Sequence, residues 1–365
     1  MSTKIHVALL MGGQSAEHEV SLQSAKNVYE ALDKSKYEVT IIGIDKNGAW
    51  HWLDAGDFLL NADNPKTIAL RLTHRHLAIA PHHPTEPFRE ADSGRSVGRI
   101  DVVFPVLHGP LGEDGTIQGL LKILDLPFVG VGVLGSAVGM DKDVMKRLLR
   151  DARLPVGDFL VFTRQQSIDF DIVSQRLGLP FFIKPANLGS SVGIHKVRNR
   201  GEFEPAINDA FRYDIKVIIE EYIPGREIEC SVLGNEDPVA SLPGEVVPHH
   251  EFYSYEAKYI DDQGADLNIP AELPQDAIAE VQNLAVRAFR TLCCEGMARV
   301  DFFLRKDGRL FINEINTIPG FTRISMYPKL WEVSGLSYSR LLDRLIELAL
   351  ERHRRDRALS SQMNF

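Results

Sequence analysis

Apolar runs that stop at glycine or proline dominate the first third of the chain. In "KIHVALLMGG" an almost unbroken apolar stretch ends at a glycine pair, the pattern of a strand buried on both faces. A helix is predicted from about Glu17 to Leu32, followed by the strand "YEVTIIGID". Strand, helix and strand in that order predict a parallel α/β sheet with ligands near the strand C-termini. "IDVVFPVLHG" resumes the sheet, followed by a helix near Gly115 to Leu124, a strand "PFVGVG" and a helix from Asp141 to Ala152. The stretch from His74 to Gly98 is rich in Pro, His and charge, and reads as a peripheral insertion with a mobile tip.

From "LPVGDFLVF" onward strands take over: "LPFFIKP", "SVGIHKV", "KVIIEEYI", "REIECSVLG" and "PVASLPGEVV", with one helix near Glu202 to Phe211. "PHHEFYSYEAKYIDDQGADLNIP" is a long loop of the kind that carries function. A helix from Pro274 to Leu292, a hairpin and C-terminal helices complete the chain. The run "ERHRRDR" fits a basic helix end that complements its dipole, plus a solvated tail. No internal repeat is visible.

The hairpin "RVDFFLRKDGRLFINEIN" has an unusual face. Asp307-Gly308 between alternating apolar runs predicts a tight two-residue turn. With that turn, Arg299 faces Asn316, Asp301 faces Glu314 and Phe303 faces Ile312, all on one side of the sheet. Val300, Phe302, Leu304, Phe311 and Ile315 form the core side, with Asn313 the only polar residue among them. Like charges opposite each other destabilise a strand pair, so two facing carboxylates beside an amide oxygen ask for a cation. Oxygen donors suit Mg²⁺ or Mn²⁺ shared with a phosphate ligand. A solvated face with unrelated charges is the alternative.

Composition narrows the function classes. The 365 residues suffice for two or three domains, and 44% hydrophobic with 25% charged residues is ordinary for a globular protein. A net charge of −9 argues against nucleic acid as the main partner. Cys230, Cys293 and Cys294 offer no disulfide framework, which points to a reducing compartment. The apolar run from Ile5 to Met11, broken by His6, is short for a signal peptide, and no stretch approaches the ~20 apolar residues of a membrane span. The expected location is the cytoplasm, with no membrane partner.

Several short motifs carry candidate chemistry. "NLGSSVGI" offers backbone N–H and hydroxyl donors with little bulk, as a flap over phosphates needs, although an ordinary Gly/Ser turn has the same composition. Lys184 before it and Lys142 at a helix start are cations that could meet phosphate charge or simply face solvent. In "VIIEEYIPGREIE", backbone groups at a strand end could read an adenine edge and Glu227 could accept ribose hydroxyls; a half-exposed acidic strand reads the same way. Glu17, in a first helical turn, could hold a substrate ammonium or merely complement the helix dipole. His108, at a parallel strand end, is a candidate substrate contact, with a structural histidine as the alternative. The doublets His82-His83 and His249-His250 lack further metal-ligand spacing. "YSYEAKY" places Lys258 and two tyrosines in the long loop, where they could contact phosphate and exclude water or pack on one another. Neither GxxxxGK[ST] nor GxGxxG occurs, so Walker-type and dinucleotide-binding readings are disfavoured.

Eight stretches, "GGQSAEHEVS", "HGPLGEDGT", "GMDKDVMKRLL", "FFIKPANLGSSVGI", "IIEEYIPGREIE", "YEAKY", "RVDFFL" and "NEINTIPGFT", together resemble the D-alanine–D-alanine ligase family, in family order over roughly residues 4 to 350. The resemblance implies an N-terminal parallel α/β domain followed by an ATP-grasp fold of two β-rich subdomains, with boundaries at 1–140, 141–223 and 224–355 and a tail at 356–365. The insertion near residues 74–98 resembles the longer form of the enzyme.

The same resemblance implies ATP bound by Lys142, Lys184, Ser190, Ser191, Glu220, Glu221, Tyr222, Ile223, Glu227, Lys258, Asn313 and Glu314. It makes Asp301, Glu314 and Asn316 the ligands of two Mg²⁺ (or Mn²⁺). Glu17, linked by hydrogen bonds to Ser190 and Tyr259, would hold the ammonium of the first D-alanine. Arg299 and the backbone of Gly320 would stabilise a tetrahedral intermediate, and Ser325 with Lys258 would hold the second D-alanine's carboxylate. A homodimer is implied as well. The tyrosine of "YEAKY" resembles dipeptide-forming members rather than a D-alanine–D-lactate ligase. A non-catalytic ATP-binding regulator would have no need of Arg299.

Overall fold

The computed structural model describes residues 4–81, 83, 85–189, 192–249 and 265–359. Strand β1 (Ile5–Gly12) is almost wholly buried from Val7 onward. It ends where Gly12 and Gly13 take positive φ, and a side chain at Gly12 would collide with the Ile44 carbonyl oxygen. Helix α1 (His18–Ala31) follows, then β2 (Tyr37–Ile44) and the antiparallel edge strand β3 (Trp50–Leu53). Two short hairpins come next, β4 (Leu59–Leu60) with β5 (Ala69–Leu70), and β6 (Leu77–Ile79) with β7 (Phe88–Glu90). Strand β8 (Val102–Val106) completes a sheet of order β3-β2-β1-β8, in which β1 runs parallel to both neighbours.

The segment expected to be a peripheral insertion is anchored by a few apolar residues. Phe88 of β7 is fully buried in one cluster with Ala8, Leu10, Ile42 and Val103, so the β6–β7 hairpin covers one face of the first sheet. Its ring stacks on Trp50 with centroids 6.0 Å apart. His82 and Pro84 of this segment lie outside the described residues.

Helix α2 (Thr116–Ile123) agrees with expectation, but "PFVGVG" does not form a strand. Only Phe128 bridges Val103, because Pro127 lacks a donor and Gly130 turns the chain away at φ +97°. Helix α3 (Val133–Met140), which the apolar pattern did not reveal, leads into α4 (Lys142–Asp151). The Asp141 side chain caps α4 by accepting from the N–H groups of Asp143 and Val144, and its carboxylate also pairs with Lys216 at 2.5 Å.

The second sheet has the order β11-β10-β12-β9 and is antiparallel throughout. It comprises β9 (Phe159–Thr163), β10 (Phe181–Pro185), β11 (His195–Val197) and β12 (Lys216–Glu221). Helices α5 (Phe170–Leu177) and α6 (Arg200–Ala210) cover one face, burying Phe181, Ile183, Val217 and Ile219. Alternation therefore turns Phe182, Lys184 and Glu220 to the other face.

The third sheet contains β13 (Arg226–Gly234), β14 (Val239–Ala240), β15 (Gly244–Pro248), β16 (Ala265–Asn268), β17 (Gly296–Leu304) and β18 (Leu310–Asn316). "PVASLPGEVV" thus splits into β14 and β15 around Pro243. The order is β16-β15-β13-β17-β18, with β14 beside β13. Helix α7 (Gln275–Thr291) packs beneath it, with Ile228, Val300, Phe302, Ile312 and Ile315 joining Val281, Leu284 and Phe289 in one core. Helices α8 (Met326–Val333) and α9 (Tyr338–Arg357) close the molecule by packing Leu341, Leu345 and Ile346 into the core under β1 and α1. Among the described residues no helix is long and apolar enough to cross a membrane.

Candidate active site

The β17–β18 hairpin carries the acidic face, though by a different route from the expected one. Its loop is longer than two residues: the Arg305 N–H donates to Arg309 O at 2.9 Å and the Gly308 N–H to Arg305 O at 3.0 Å. The resulting shift pairs Phe303 with Phe311, not with Ile312. A bulge opposite the Asp301/Phe302 step then inserts Asn313 and restores the outer register, so Asp301 faces Glu314 and Arg299 faces Asn316. The shift exchanges two residues: Ile312 is core, whereas Phe311 is half-buried with the Arg305 guanidinium 5.2 Å from its ring. It also takes Asn313 out of the core and onto the wall of a cleft.

Strand β13 extends the acidic row on the far side of β17. Glu229 stands opposite Asp301, and Glu227 opposite Phe303. Three carboxylates thus lie side by side across three strands: Glu229, Asp301 and Glu314. Arg299 grips the middle one bidentately, Nε and Nη2 each 2.7 Å from an Asp301 oxygen, while Nε also lies 2.9 Å from Glu229 Oε2. The buried Asn316 Oδ1 has no hydrogen-bond partner, an acceptor whose burial is costly unless something electropositive meets it. Among the described residues no group of three or more His, Cys, Asp or Glu side chains is arranged to hold a metal. The donors available here are two carboxylates and an amide oxygen, a set that fits a hard dication.

Between the second and third sheets lies a cavity of about 410 Å³. Lys142, Lys184, Glu220, Glu221, Tyr222, Ile223, Glu227, Asn313 and Glu314 all line it. These are all the described members of the expected nucleotide set. Ser190, Ser191 and Lys258 lie outside the described residues. Phe182 and Phe303 supply apolar wall from the two sheets. At one end the Lys142 ammonium donates to Leu188 O at 2.7 Å and lies 3.7 Å from Glu314. Deeper in, Glu220 is bracketed by Lys184, 2.6 Å from Oε2, and by Lys146, 2.7 Å from Oε1. Burial alone would push the Glu220 carboxyl up, but the two lysines overcome it and hold it down to about 2. Lys146 escaped the sequence reading; the signal available was its place one helical turn after Lys142.

Helix α1, the loop after β8 and the segment after β18 meet around Glu17. Glu17 is buried at the start of α1, and its side chain makes no capping bond to the helix. A methyl group at Gly109, which has φ +74°, would come within 2.8 Å of Glu17 Oε2, and one at Gly189 within 3.5 Å. Glu113, absent from the sequence reading, bridges two of these segments. Its Oε2 accepts the Gly109 N–H at 2.7 Å and its Oε1 the Ile318 N–H at 3.2 Å. Burial, with nearby Glu17, drives its carboxyl up to about 8 against the pull of those donors and of Arg299.

His108 is buried and engaged on both sides. Its Nδ1–H donates to Ile318 O at 3.0 Å, and Nε2 lies 3.4 Å from Ser24 Oγ, which itself accepts the Phe321 N–H. His108 therefore ties this wall together from behind. Ser325 Oγ lies 2.8 Å from Thr322 Oγ1 and accepts the Thr322 N–H, and a side chain at Gly320 would collide with it. Tyr259, like Lys258, lies outside the described residues.

A nucleotide-sized cleft between two antiparallel sheets, with paired lysines at one end and an acidic strand pair beside it, defines the ATP-grasp class of ligases. The comparisons agree. A model for the D-ala D-ala ligase N-terminus matches residues 6–131, and one for the C-terminus matches residues 148–347. A D-alanine–D-alanine ligase of Shouchella clausii is 55% identical over 99% of this chain and 98% of its own. The D-alanine–D-alanine ligase A of Escherichia coli is 53% identical over 99% and 100%. Among solved structures, the D-alanine–D-alanine ligase from Coxiella burnetii superposes with a TM-score of 0.84 at 40% identity, covering 97% of this chain and 96% of that one. The VanG D-Ala:D-Ser ligase from Enterococcus faecalis gives 0.83 at 36% identity, covering 95% and 100%. The chain belongs to the D-alanine–D-alanine ligase family.

Proposed function

We propose that this chain joins two D-alanine molecules to D-alanyl-D-alanine for peptidoglycan precursor synthesis, with ATP converted to ADP and phosphate. One observation carries the reading. Gly189 lines the nucleotide cavity, and a methyl group there would come within 3.5 Å of Glu17 Oε2, which supports a phosphate and an amino acid held side by side. A carboxylate resists attack by an amine because it is anionic and lacks a leaving group. Transfer of the γ-phosphoryl group to the first D-alanine makes an acyl phosphate, and the second D-alanine's amine then attacks that carbonyl and expels phosphate.

The chain's own groups position and neutralise. Phe182 and Phe303 flank the base, Glu220 and the 221–223 backbone read its edge, and Glu227 takes the ribose. Lys142 and Lys184 meet phosphate oxygens, together with Ser190 and Ser191. Glu17 holds the first ammonium, with Ser190 and Tyr259 as its partners. Arg299 and the Gly320 N–H stabilise the tetrahedral oxyanion. Ser325 and Lys258 receive the second carboxylate, and His108 buttresses the wall. Asp301, Glu314 and Asn316 would hold two Mg²⁺ (or Mn²⁺), which when bound neutralise triphosphate charge. Exclusion of water protects the acyl phosphate from hydrolysis.

We place the working boundaries at residues 140, 223 and 355, in a cytoplasmic homodimer. Product analysis by mass spectrometry, with D-alanine, D-serine and D-lactate in competition across pH, tests the reading. D-Alanyl-D-alanine should dominate at neutral pH. Predominant depsipeptide, or no ligated product, would overturn it.

A further inference from the structure

We propose that Lys146 is a positioning residue that sets the enzyme's preference for a 6-amino purine by keeping Glu220 an ionised acceptor after Lys184 has turned to phosphate. The inference rests on the ATP reading above and deepens it.

Glu220 has one cation on each oxygen in this structure, Lys146 on Oε1 and Lys184 on Oε2. The two lysines are not equivalent. Lys184 stands on β10 between the base end of the cavity and its acidic end, under the field of Glu314 and Glu227 as well as Glu220. A triphosphate entering the cavity offers it a stronger partner. Lys146 comes from α4 and is buried to all but 4% of its side chain against Glu220. With Lys184 engaged elsewhere, Lys146 is the cation that remains on a carboxylate which is itself 8% exposed. Without it, Glu220 would be a buried carboxylate facing only Lys184, which Glu227 from β13 and Glu314 from β18 also attract, while Lys142 lies at Glu314. Burial would then favour its protonated form.

The protonation state decides which purine fits. An ionised carboxylate only accepts, so it pairs with the exocyclic amine of adenine and repels the 6-carbonyl oxygen of guanine or hypoxanthine. A protonated Glu220 can donate its O–H to that carbonyl, and the discrimination collapses. Fixing the charge on Glu220 is thus a specificity device that works by rejecting the wrong base.

The test compares wild type with Lys146→Gln, Lys146→Arg and Glu220→Gln, measuring D-alanine-dependent phosphate release with ATP and with inosine triphosphate between pH 5.5 and 8.5. Lys146→Gln should raise KM for ATP about tenfold with a smaller change in kcat, the loss expected of a charged hydrogen bond. It should lower the ATP-to-ITP ratio of kcat/KM by about the same factor, and make KM for ATP rise with falling pH where wild type is flat. Lys146→Arg should keep the wild-type ratio. Glu220→Gln, whose amide can rotate to donate, should relax the ratio independently of any folding defect in the lysine variants. A wild-type ratio and flat pH profile in folded Lys146→Gln would overturn the proposal, as would an unchanged ratio in Glu220→Gln. Absence of D-alanine-dependent ATP turnover in wild type would strike the underlying ligase reading instead.

Discussion

Asp301 faces Glu314 across two neighbouring strands only because two irregularities cancel. The hairpin loop exceeds a two-residue turn, and the bulge at Asn313 absorbs the offset before the acidic pair is reached. The bulge also delivers Asn313 and Glu314 consecutively to the cavity wall. Such a bulge re-aims side chains at a site. If Glu314 is a cation ligand, Glu314→Gln should raise the Mg²⁺ concentration for half-maximal rate by about tenfold or more at saturating ATP. Its melting temperature should stay close to wild type. An unchanged Mg²⁺ titration would remove Glu314 from the metal site.

Arg299 is held by Asp301 and Glu229 in a fixed orientation before any substrate arrives. Such preorganisation is what makes an oxyanion donor effective. Arg299→Ala should lower turnover by on the order of a hundredfold or more. Arg299→Lys, which cannot reproduce the bidentate fork, should recover only part of that loss. Steady-state kcat for both variants checks the claim, and a near-normal rate in Arg299→Ala contradicts it.

Gly109 gives a selective probe of the first amino-acid pocket. Alanine there would be strained at φ +74° and would press on Glu17 Oε2. KM for the first D-alanine should rise by about tenfold or more, equivalent to at least ~1.4 kcal/mol of lost binding. KM for ATP should hardly move, because Gly109 does not line the nucleotide cavity. Equal effects on both substrates would mean that Gly109 does not act through Glu17 alone.

Glu113 gives the fold a measurable pH signature. Its folded carboxyl is driven up to about 8 by burial and by Glu17, above its ordinary value of 4.5. A raised folded value favours folding while the group is protonated; that contribution is complete below about 4.5 and is lost as pH rises through about 8. Glu113→Gln removes the titration, though its amide meets a backbone N–H where an oxygen stood, which lowers its stability at acid pH. The melting temperature of the variant should therefore gain on wild type as pH rises from 4.5 to 8, and then run parallel to it. A constant difference across that window contradicts the placement.

Where strand alternation decides a position, sequence sufficed. The face on which Glu220 and Lys184 lie follows from core-facing Ile219 and Ile183 beside them in the chain, although their chemistry does not. The outer pairs of the hairpin were also readable, since the offset and bulge cancel beyond Asp301. The inner pairs were not, because Asp307-Gly308 suits a longer loop as well as a two-residue turn. "PFVGVG" misled because its apolar run reads as a strand while its glycines and Pro127 cannot sustain a ladder. Glu113 and Glu229 look like surface acids in sequence; Gly109 gives Glu113 one local partner, but its second comes from distant Ile318, and Glu229 meets distant Arg299. Lys146 is hidden for the same reason, since it lies on helix α4 and its partner Glu220 on the distant strand β12. The packing of Phe88 under its hairpin could not be told from a polar, histidine-rich context.

The central claim is that one continuous site couples ATP cleavage to an amino acid held at Glu17. Phosphate release from ATP, measured with purified protein, Mg²⁺ and either D-alanine or L-alanine, tests it most directly. The account predicts phosphate formed one-for-one with D-alanyl-D-alanine when D-alanine is present, and only background release with L-alanine. Phosphate release indifferent to D-alanine, or equal with both enantiomers, would contradict it.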